Sequence, residues 1–172
     1  MVRVNRFSLV LLLSLFCHTQ TGLALSTDRE QPINIHADKL DIDDIKNIST
    51  YQGNVEMQQG SLHIKADTIV FHFSEQNDLQ RLEIAGSPAT LNQLNDKNEP
   101  VSGTARHIIY TDNLLLLKLN GAARFQNNAD TIESEWITIN TQTEALKAGS
   151  IKGENRVHML IQPKNSGNNN KK

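Results

Sequence analysis

Cysteine is nearly missing from this chain: Cys17 is the single copy in 172 residues. That excludes an internal disulfide and confines thiol chemistry to one position near the N-terminus. Aromatic residues are also sparse, at 5%, which leaves little material for a sugar- or base-stacking surface. There is no basic excess either, because the formal net charge is −2. A nucleic-acid partner wants a basic face and an anionic membrane surface a polybasic patch, so both are disfavoured. No long hydrophobic run follows residue 16. No glycine-rich phosphate loop, G-x-S-x-G elbow or H-E-x-x-H pair is present.

The one apolar run has a specific setting. Arg3 and Arg6 precede Phe7 to Phe16, and Gly22-Leu23-Ala24 supplies a small-x-small cleavage signal. Residues 1–24 are therefore expected to be a secretory signal peptide, too short to span a bilayer as a stable helix. Cys17 would leave with it, and the residue before it, Phe16, is wrong for a lipoprotein site. The remainder, residues 25–163 followed by an Asn-, Lys- and Gly-rich tail at 164–172, is expected to be one exported domain with a disordered end.

What that domain has in quantity is alternation. In Leu62–Phe73 the apolar residues fall on even positions at Leu62, Ile64 and Ala66, then on odd ones at Ile69, Phe71 and Phe73. Alternation with period two marks a strand with one buried face. A slip of one residue marks a bulge or corner. The slip recurs from Ala37 to Leu40, from Ala105 to Ile108 and from Ser134 to Ile137. Between the slipping segments run returning ones that share an h-x-G pattern, with Gly53, Gly86, Gly121 and Gly153 spaced 33, 35 and 32 residues. The expected fold is all-β and antiparallel: an open two-sheet trough, jelly-roll-like, built from four repeats of about 33 residues with unclosed edges. The first strand is expected over Ile33 to Ile42, creased once. The third return is expected through Leu115, Leu117, Leu119, Gly121, Ala123 and Phe125, and the last through Ile151, Gly153, Val157, Met159 and Ile161.

The polar residues offer little chemistry. Asp38, Asp67, Arg106 and Glu135 hold the same place in the four units. A catalytic pair would need two carboxylates, and the arginine in the third copy favours a structural role at the corner instead. His36, His63, His72, His107 and His158 lack metal-ligand spacing, and the aspartates at 41, 43 and 44 lack the glycine and closing glutamate of a calcium loop. No catalytic residue, metal site or cofactor is expected. What remains is the apolar face, for which Ile33, Ile35, Leu62, Ile64, Phe71, Leu91, Tyr110, Leu117, Phe125, Trp136 and Met159 are the inward candidates. An ordinary sandwich core and a lipid-holding trough would show the same pattern.

Four segments carry a family resemblance: QPINIHADKLDID from Gln31, YQGNVEMQQGSLHIKAD from Tyr51, GSPATLNQL from Gly86 and VSGTARHIIY from Val101. Together they resemble the OstA-like, LptA-type bridge proteins of lipopolysaccharide transport, over nearly all of the exported chain. The resemblance implies a β-jelly roll whose hydrophobic groove takes the acyl chains of lipopolysaccharide. Ile33, Ile35, Leu91 and Tyr110 match groove positions of the family. It further implies a periplasmic, non-enzymatic bridge assembling head-to-tail, with an LptC-like inner-membrane partner and an LptD-like outer-membrane partner. An open trough leaves unpaired strand edges, which recruit further strands. Ile33, Ile35, Ala37 and Leu40 would dock the first partner, and Arg156, Val157, Met159 and Ile161 the second. A periplasmic polysaccharide-binding β-sandwich is the competing reading; exposed aromatics would be its mark.

Overall fold

The structure is a computed structural model that describes residues 28–150 and 156–163. After a single turn of 3-10 helix at Asp28–Glu30 the chain is all strand: β1 (Ile33–His36), β2 (Lys39–Asp43), β3 (Ile48–Gln59), β4 (Leu62–Phe73), β5 (Leu79–Leu94), β6 (Pro100–Thr111), β7 (Leu116–Asn127), β8 (Asp130–Asn140), β9 (Leu146–Gly149) and β10 (His158–Leu160). All pairings are antiparallel. The strand order β1-β3-β4-β5-β6-β7-β8-β10, with β2 also on β3 and β9 also on β8, is an unclosed meander.

Each of the long strands β3–β8 crosses a crease near its middle. On the outgoing strands β4, β6 and β8 two residues separate the inward positions on either side of it: Ala66 and Ile69, Ala105 and Ile108, Ser134 and Ile137. The returning strands carry the extra length. Gly53-Asn54 bulge out of β3 between Gln52 and Val55, and Gly121-Ala122 out of β7 between Asn120 and Ala123. In β5 the excess is Gly86-Ser87-Pro88, with a cis Ser87–Pro88 bond. Gly53 and Gly121 adopt φ of +79° and +80°, which a side chain resists. Each also lies beneath a corner side chain, Gly53 under Asp38 and Gly121 under Arg106. At these two places the recurrent glycine and the recurrent polar corner are two sides of one contact, whereas Gly86 is crowded by the backbone of Pro88 and Ala89.

Because the bulges line up from strand to strand, the crease folds the sheet onto itself. One half holds β1, β10 and the adjoining ends of β3–β8; the other holds β2, β9 and the opposite ends. The halves face each other across one apolar cluster. Gly103, in the β1 half, shows how close they come: a Cβ there would stand 3.1 Å from Leu119 Cδ2, which comes from the other half.

Three expectations are corrected. The segment Ile33 to Ile42 is not one strand: it breaks at Ala37-Asp38 into β1 and β2, both paired with β3. The last return begins earlier, at Leu146–Gly149, and resumes only as the short β10; Ile151 and Gly153 lie outside the described residues, as do the signal segment and the tail. Leu115, expected inside β7, sits in the preceding turn with φ of +48°.

Candidate functional site

Cross-strand register sorts the inward side chains into rows. In the β1 half one row runs Ile35, Met57, Ile64, Leu91, Gly103, Phe125, Ile132, Met159. It spans the sheet from one edge strand to the other. The facing half carries two comparable rows. The first runs Leu40, Tyr51, Ile69, Ile84, Ile108, Leu119, Ile137, Ala148. The second contains Phe71, Leu82, Tyr110, Leu117, Ile139 and Leu146. Directly opposed side chains on one face lie close enough to touch, so each row is a continuous apolar track. Tyr51 meets Phe71 edge-on at 5.8 Å between ring centroids, and Phe71 stacks on Phe73 at 5.9 Å.

Ile64, Phe71, Leu117 and Phe125 are in the core cluster, and Ile35, Leu62, Leu91 and Tyr110 pack against it half-buried. Ile33 and Met159 carry the inward pattern out to the edges, where they are exposed. Trp136 is the exception. It pairs with Asn120 and Gly149, one position off the Ile137 row, and its indole lies over Gly149 outside the cluster. The parity slip at Glu135 had turned it outward, so it does not line the shared interior.

The edges differ from the centre. β1 and β2 pair only with β3, and β9 and β10 only with β8. Ile33 and Leu40 at one end, and Val157, Met159, Leu160 and Ile161 at the other, are all close to half exposed or more. Ala37 and Arg156 are exposed beside them. Each end therefore presents unpaired backbone groups fringed by apolar side chains.

Between these ends the described residues gather one buried apolar cluster. A recess of about 220 Å³ beside Ile42 and Phe73 is smaller than the roughly 300 Å³ at which ligand pockets usually begin. The side opposite the crease is where the hairpin turns of the two halves lie.

That side carries polar residues sequence reasoning missed. Asp28 is buried against the β3–β4 turn: Ser61 N donates to its Oδ1 at 2.9 Å, and Ser61 Oγ (2.5 Å) and Gln93 Nε2 (3.0 Å) to its Oδ2. Burial pushes its pKa up, but these hydrogen bonds outweigh it and hold the carboxyl below the ordinary 3.8. Gly60, with φ of +57°, leaves the space; a Cβ there would collide with the carboxylate. Arg29 extends the other way. Its Nη2 donates to Tyr110 Oη at 2.6 Å and its Nη1 lies 3.6 Å from Asp112 Oδ1, to which Tyr110 Oη also donates at 3.0 Å. The Tyr110 hydroxyl is pushed up to about 12, mainly by burial. Nothing in residues 26–31 signals these contacts, because they depend on which strand ends the fold brings together.

Comparison with known proteins decides the family. A model described as LptA/(LptD N-terminal domain) LPS transport protein matches residues 34–145. The chain belongs to this LptA/LptD N-terminal family. Among curated members it is 30% identical to the lipopolysaccharide export system protein LptA of Escherichia coli K12, over 98% of this chain and 93% of that one. It is 28% identical to LptH of Pseudomonas aeruginosa, over 94% and 96%. The crystal structure of LptH, titled the LptA homologous periplasmic component of the lipopolysaccharide transport device, superposes with a TM-score of 0.71 at 27% identity, covering 80% of this chain and 99% of that one. The family fold is thus the creased, unclosed sheet described above.

Proposed function

We propose that this protein is a non-enzymatic periplasmic bridge for lipopolysaccharide. The acyl chains would lie between the two halves, and copies or partners would join edge to edge. The observation that carries this reading is the row from Ile35 to Met159, an apolar track that runs uninterrupted by charge from one unpaired edge to the other. Each methylene kept out of water is worth about 0.8 kcal/mol, so a many-chained lipid cannot cross an aqueous compartment unaided at a useful rate. A track that is open at both ends lowers that barrier without chemistry. Ile35, Leu62, Leu91 and Tyr110, half-buried and packed against the cluster, are the side chains a lipid would meet as the halves part. Ile33, Ile35, Ala37 and Leu40 form the edge for an LptC-like inner-membrane partner. Arg156, Val157, Met159 and Ile161 form the edge for an LptD-like outer-membrane partner, and either edge can take a second copy of this chain.

A photo-crosslinking residue at Ile35 or Leu91 is expected to capture lipopolysaccharide, and one at His63, on the outward parity of β4, is not. Equal capture at His63 and Leu91 would overturn the reading.

A further inference from the structure

The mouth of the trough is the side away from the crease, where hairpin turns of both halves come to the surface. Asp28–Glu30 crosses it. Asp28 is fixed to the β1 half through Ser61 and Gln93, while Arg29 is fixed to the other half through Tyr110 and Asp112. Gln59 Nε2 steadies the crossing by donating to the carbonyls of Gln31 (3.1 Å) and Arg29 (3.3 Å). The crossing thus ties together two sheet halves that have to separate for cargo to enter.

We propose that the Asp28–Arg29 crossing is a clasp on the trough, closed when the interior holds only its own side chains and released when acyl chains enter. The proposal rests on the reading of the chain as a lipid carrier and adds to it a gate and the residues that work it. The two anchors differ in strength. Asp28 is buried under three hydrogen bonds, whereas Arg29 and Asp112 form a largely exposed pair, with side chains 61% and 41% accessible. Exposed ion pairs are weak and screened. The clasp therefore opens at its Arg29 end and stays tethered at Asp28. Tyr110 is the element that senses cargo: its ring packs against the apolar cluster while its hydroxyl takes the Arg29 hydrogen bond. An acyl chain that displaces the ring carries away the clasp's catch.

The test uses the exported chain without its signal segment, carrying a photo-crosslinker at Leu91 and purified lipopolysaccharide as the probe. Arg29→Cys with Asp112→Cys is joined by a short bismaleimide, Cys17 being absent from this form. Joining is expected to abolish most capture at Leu91, while the same double variant capped singly with N-ethylmaleimide captures at least as well as the parent. Arg29→Ala is expected to speed capture roughly fivefold, the size of losing one exposed ion pair. Undiminished capture after joining would overturn the clasp and leave the carrier reading standing. Absence of capture in the parent itself would overturn the carrier reading and the clasp with it.

Discussion

The central strands and the edge strands are written in the same alternating pattern, yet they end in opposite surroundings. Leu40 and Ile108 occupy one cross-strand row on the same face of the same sheet; Leu40 is 49% exposed and Ile108 is 0% exposed. Ile108 has a strand on each side and the folded-over half above it. Leu40 has a neighbour on one side only. Alternation thus records that a residue belongs to a strand face, and the number of neighbouring strands decides whether that face is dry. In most proteins the sparsely covered end of such a row would be shielded by charge or proline. Here β1 carries Ile33 and β10 carries Met159, with Ile161 just past its end, and all three are exposed; exposed apolar side chains gathered at one place are a usual mark of a contact surface.

The strongest way to break this contrast is truncation within the row. Ile108→Ala should cost about 3 kcal/mol in urea unfolding. Leu40→Ala should cost roughly 0.5 kcal/mol or less. Equal losses would mean that the edge is packed in solution. A smaller effect comes from the crease, which gives the central strands their second layer. Gly121→Val should lower stability by about 2 kcal/mol, because its positive φ resists a branched side chain and Arg106 occupies the space. Adding Arg106→Ala should return part of that loss. If it returns none, strain of the backbone is the whole effect. The smallest effect on stability belongs to the edge. Val157→Pro should lower stability by less than about 0.5 kcal/mol and still suppress concentration-dependent association in sedimentation, because proline at an edge removes a donor and blocks further pairing.

Much of this fold was legible in the order of the residues. The slips at Ala66, Ala105 and Ser134 marked the crease, since period-two parity is a local demand that local residue choice must meet; the recurrence of Gly53 and Gly121 was visible, but not that the extra residues of the crease would sit there, on the returning strands. Strand β9 was not legible: Leu146-Lys147-Ala148-Gly149 has weak strand preference and is held by pairing with β8. Trp136 was misplaced because parity alone does not say on which side of a bulge a residue falls. Of the site, the inward rows could be read, with Ile64, Leu91, Tyr110 and Phe125 where alternation put them. The Arg29 crossing could not, because a long flexible side chain finds partners through tertiary distance rather than spacing.

The strand order has one more consequence. Each strand pairs with one that precedes or follows it by at most one hairpin, so no part of the sheet waits for a distant segment to arrive. Sheets of this size are usually slow to assemble because remote ends must meet before any pairing rewards them. A ladder that grows rung by rung escapes that delay, because each hairpin can form on the one before it without the rest of the chain.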